Sequence, residues 1–102
     1  MASGNISDNL PARIMRQVWV NKDNPVSINI GTWASALIIG MLNGFGPIAL
    51  VVFKSTNIIS QVSNLYDFSA WNNSSLTFSA SGDDLIISST TNTPNKLLVI
   101  YN

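Results

Sequence analysis

The chain has 102 residues, five basic and five acidic side chains, and neither Cys nor His. That length suits one domain with a real core and a thin stability margin. The missing residue types exclude disulfides, thiolate chemistry, the common zinc sites and the Ser-His and Cys-His nucleophile pairs. Charged residues make up only 10% of the chain, against about 25% in an ordinary domain. Their place is taken by thirteen Asn, fourteen Ser and six Thr. These side chains compete for backbone hydrogen bonds and favour turns and strand ends. All five acids are Asp, and Gln occurs only at Gln17 and Gln61, so the long polar residues of helix surfaces are nearly absent. The polar half of the chain is written for β structure.

Residues 1–11 are polar and end at Pro11, as an arm or linker would, so 12–102 is the expected domain. Arg13 to Val20 reads as a strand. Asn21-Lys22-Asp23-Asn24-Pro25 is a loop of turn-formers. Val26 to Ile30 alternates strictly, which aims Val26, Ile28 and Ile30 at a core and Ser27 and Asn29 at water.

Trp33 to Phe53 carries no charge and is long enough to cross a bilayer. Its middle reads Asn43-Gly44-Phe45-Gly46-Pro47, which breaks a helix where its backbone most needs internal hydrogen bonds. The same residues make a good turn between two strands, Ala34 to Leu42 and Ile48 to Phe53. Neither strand alternates. A strand apolar on both faces has to be covered on both, and a small sandwich covers only one. The second face calls for another chain, with Leu37, Ile39, Met41, Leu50 and Val52 as the expected interface residues.

Asn57 to Leu65 is a weaker strand, followed by a loop from Tyr66 to Asn73. Leu76 to Ala80 and Leu85 to Ser88 form a hairpin around Ser81-Gly82-Asp83-Asp84, which sets Leu76, Phe78 and Ala80 against Leu85 and Ile87. Lys96 to Tyr101 closes the chain. Seven or eight short antiparallel strands without a helix predict an all-β fold, a two-layer sandwich or a barrel.

No catalytic group, cofactor site or metal site is expected. Asp83 and Asp84 are adjacent on a turn, and two carboxylates there are too few for a Ca²⁺ site. The basic residues Arg13, Arg16, Lys22, Lys54 and Lys96 are scattered, so no nucleic-acid groove forms. In the 66–73 loop, Tyr66, Asp67, Trp71, Asn72 and Asn73 combine aromatic faces with amide and carboxylate groups. That pairing suits a saccharide, because rings stack C–H faces on aromatics and present hydroxyls to polar groups. The plain alternative has Phe68 and Trp71 plugging the sandwich while the amides make a turn.

The apolar pair around Asn43-Gly44-Phe45-Gly46-Pro47, the hairpin Leu76 to Ser88 and the closing run Leu97-Leu98-Val99-Ile100-Tyr101 resemble, in style, the small C-terminal modules of bacteriophage tail fibres and receptor-binding proteins. The resemblance implies a single β-sandwich of jelly-roll type, and a non-enzymatic module on a virion or other extracellular surface. It implies assembly, as a trimer, and contact with host cell-surface carbohydrate. No residue role carries over position by position. The alternative is a purely structural assembly or decoration protein without a small ligand.

Overall fold

The computed structural model describes residues 14–42, 46–64 and 75–102. Eight strands run through them: β1 (Ile14–Val20), β2 (Val26–Asn29), β3 (Ala34–Leu42), β4 (Gly46–Lys54), β5 (Ile59–Asn64), β6 (Leu76–Ser81), β7 (Asp84–Ser89) and β8 (Asn95–Tyr101). They form two antiparallel sheets, one of five strands in the order β1-β8-β3-β4-β5 and one of three in the order β2-β7-β6. The fold is all-β and a sandwich, as composition and pattern predict.

A jelly roll wraps one long antiparallel ribbon, so that first pairs with eighth strand, second with seventh, third with sixth and fourth with fifth. Here β1 pairs with β8, β2 with β7 and β4 with β5. The remaining nested pair is replaced by two local hairpins, β3 with β4 and β6 with β7. Both hairpins have short connections. Leu42 pairs with Gly46, and Ser81 pairs with Asp84 around a two-residue turn. Gly82 opens that turn at φ 59, the left-handed geometry that two-residue hairpin loops require. Local pairing of this kind costs less chain entropy than a distant partner, and it leaves the sheets unequal in width.

The core lies between the sheets. Val18, Val20, Ala36, Ile38, Leu42, Ile48, Leu50, Val52, Leu97, Val99 and Tyr101 come from the wide sheet. Ile28, Leu76, Leu85 and Ile87 come from the narrow one. In the β6–β7 hairpin Phe78 stands opposite Ile87 and Ala80 opposite Leu85, the pairs that the alternation predicts. Gly40 sits where β3 runs closest to β8. A Cβ there would come within 2.7 Å of both the Leu97 side chain and the Lys96 carbonyl. The narrow sheet does not reach the margins of the wide one. Ile14 on β1 and Val62 on β5 share the inward register of their neighbours Tyr101 and Val52, yet both are exposed.

Polar fastenings close each end of the sandwich. At one end Lys54 is buried, and its Nζ donates to the carbonyls of Gly31, Thr32 and Gly82 at 2.6, 3.1 and 2.7 Å. All three of its donors are therefore used, and β4 is tied to the β2–β3 connection and the β6–β7 turn. The Gly82 amide donates to Asn57 Oδ1 at 2.8 Å, and the amides of Ile30 and Gly31 donate to the Asp83 carbonyl. At the other end Asn95, on β8, is buried, and its amide donates to Thr91 Oγ1 at 2.8 Å and Ser89 Oγ at 3.3 Å. Replacing Lys54 with Met keeps the apolar stem and orphans three carbonyls. Lys54→Met is expected to lower unfolding stability by about 2 kcal/mol or more, measured by urea denaturation. An unchanged midpoint would show that the three bonds contribute nothing.

Candidate functional site: the outer face of the wide sheet

Residues paired across neighbouring strands share a face. On the outside of the five-stranded sheet, Met15, Ile100, Leu37 and Val51 form one transverse row. Gln17, Leu98, Ile39 and Ala49 form the next, and Trp19, Lys96, Met41 and Pro47 a third. Phe53, opposite Ser35, extends the patch toward the start of β3. Of these fourteen side chains only Gln17, Lys96 and Ser35 are polar. The charge of Lys96 is turned onto the patch itself, with Nζ 5.8 Å from the centre of the Trp19 ring, a cation–π contact. Met41 and Met15 are 63% and 62% exposed. Pro47 lies beyond the last β4–β5 pair, Leu50 with Asn64, so its missing N–H faces no β5 partner.

The narrow sheet is the contrast. Its outer face carries Ser27 and Asn29 from β2, Thr77, Ser79 and Ser81 from β6, and Asp84 and Ser88 from β7, with Ile86 as the apolar exception. Among the described residues one sheet thus carries a polar outer face and the other an apolar one.

The expected interface residues divide. Leu37, Ile39 and Met41 lie on the outer face, as β3 alone suggests. Leu50 and Val52 do not: both are fully buried in the core. The correction has a simple cause. Leu37 pairs with Val51 and Ile39 with Ala49, so the outward positions of β4 are odd-numbered, as on β3. Pro47, Ala49, Val51 and Phe53 are the β4 members of the face. A run apolar on both sides hides its parity, and only the pairing register reveals it.

The expected saccharide residues Tyr66, Asp67, Trp71, Asn72 and Asn73 lie outside the described residues. A different Trp stands out instead. Trp33, between β2 and β3, is 83% exposed, the highest value among the exposed large hydrophobics of the described residues. It lines a hollow of about 220 Å³ with Ile30, Ala34, Ser35 and Asn102. In the sequence it reads only as the start of the apolar run at 33–53; its polar neighbours Thr32 and Ser35 are the one hint of a surface position.

Among the described residues no group of three or more His, Cys, Asp or Glu side chains converges to hold a metal. No helix among them is long and apolar enough to cross a membrane. Asp83 serves the β6–β7 turn, where its carboxylate accepts from the Thr32 hydroxyl. No protein-family model matches the chain, and no curated protein or solved structure matches it significantly.

Ile38 and Ile39 are neighbours of identical chemistry on opposite faces, fully buried and 39% exposed respectively. Ile38→Ala is expected to cost about 2–5 kcal/mol and Ile39→Ala under about 1 kcal/mol, by urea denaturation of dilute protein. Equal losses would contradict the assignment of faces.

Proposed function

We propose that the chain is a non-enzymatic assembly module that associates with copies of itself through the outer face of its five-stranded sheet. The observation that carries this reading is the contrast between the two outer faces, Ser, Thr, Asn and Asp on one and Leu, Ile, Met, Val, Phe and Trp on the other. Four strands at about 4.8 Å spacing and four rows of side chains give a patch of roughly 500 Å² before side-chain relief is counted. That exceeds a scatter of surface apolar residues and approaches the roughly 800 Å² that each partner gives to a standard interface.

Charge supports the same reading. The chain is formally neutral, so little like-charge repulsion opposes approach of a second copy. One flat patch per chain is most simply self-complementary about a two-fold axis, so two wide sheets packed face to face at about 10 Å are the minimal assembly. This favours a pair over the trimer that the fibre resemblance implies. In the setting of that resemblance the module is a repeated part of a virion or fibre surface, where identical chains meet at high local concentration.

Sedimentation equilibrium tests the proposal. The unaltered chain should show a mass that is a multiple of 11.0 kDa. The double variant Ile39→Asp with Met41→Asp should sediment as a single chain while keeping a β-type circular dichroism spectrum. A monomeric unaltered chain at micromolar concentration would overturn the proposal.

A further inference from the structure

An indole left almost wholly in water is costly unless something covers it, and Trp33 is held where it is rather than left to drift. The two residues before it are anchored by four hydrogen bonds. Gly31, at φ 107, and Thr32 both give their carbonyls to the buried Lys54. The Gly31 amide donates to the Asp83 carbonyl, and the Thr32 hydroxyl donates to the Asp83 carboxylate. Directly after Trp33, β3 begins. The ring is thus mounted on a rigid platform, the condition under which an exposed aromatic binds without first losing chain entropy.

The hollow beside it is lined by two polar side chains, Ser35 and Asn102. Neither side chain makes a hydrogen bond among the described residues, and no charged side chain lines the hollow. A second hollow of about 260 Å³ continues from the same Ser35 and Asn102 toward Leu37, Val51 and Ile100. The chemistry that matches an aromatic plate next to a hydroxyl and an amide is a ring with one C–H face and a rim of hydroxyls. We propose that this hollow binds a short saccharide, one sugar ring stacking on Trp33 and its hydroxyls meeting Ser35 and Asn102. The hollow borders the outer face of the wide sheet, since Ser35 belongs to both, while Trp33 itself lies outside the rows of the patch.

The test is an NMR titration of the full chain with maltose, cellobiose, lactose and diacetylchitobiose, following the Trp33 indole N–H and the Asn102 side-chain amide. At least one disaccharide should shift both signals saturably, with a dissociation constant of about 1 mM or tighter. Trp33→Ala should weaken that binding tenfold or more, and Trp19→Ala, on the outer sheet face, should leave it unchanged. Absence of saturable shifts with all four sugars, or binding that survives Trp33→Ala, would overturn the proposal.

Discussion

The wide sheet has two apolar faces, and the described residues supply a lid for one of them. Side chains along a strand alternate between faces, so β3, β4 and β8 each send one set into the core and the other outward. The inward set, including Ile38, Leu50 and Val99, meets the narrow sheet and is fully buried. The outward set, including Leu37, Ile39, Leu98 and Val51, lies on the opposite face, and none of the four is buried among the described residues. This constraint follows from the local pairing of β3 with β4 and of β6 with β7. Those hairpins place five strands on one side and three on the other, so among the described residues the wide apolar sheet has a polar-backed cover on one face.

Among the described residues, closure of the sandwich depends on side-chain hydrogen bonds to carbonyl and hydroxyl oxygens. Lys54 bridges the sheets at one end through three carbonyls, and Asn95 does so at the other through Ser89 and Thr91. Bonds of this kind are worth little individually but are expensive to leave unmade once buried. Asn57, Ser89, Thr91 and Asn95, all at or beside strand ends, take part in them. The Lys54 cluster does a second job, since the backbone it pins is the backbone that holds Trp33 in water.

Much of the fold is legible in the sequence. Alternation finds Val26 to Asn29 and the β6–β7 hairpin with its partners, because each of those strands has one wet and one dry face. The bounds of β3, Ala34 to Leu42, also follow from its flanking turn residues. What fails is parity within the apolar runs. Leu50 and Val52 read as outward because β4 has no polar residue to mark its wet side, and their inward setting emerges only from the register with β3. The unequal sheets are equally invisible, since pairings such as β1 with β8 are set by contacts far apart in the chain. Lys54 enters the sequence reading only as one of five scattered basic residues, and nothing local announces the three carbonyls converging on it. Two of those carbonyls belong to the residues just before Trp33.

The central claim is that the outer face of the wide sheet is covered in solution by a second copy. Met15 and Met41 report on that face directly, since both are well exposed on the single chain. Their oxidation by peroxide, followed by peptide mapping over a range of protein concentrations, is the most direct measurement. The account predicts slow oxidation of both in concentrated protein and fast oxidation on dilution. Fast oxidation at every concentration would contradict it.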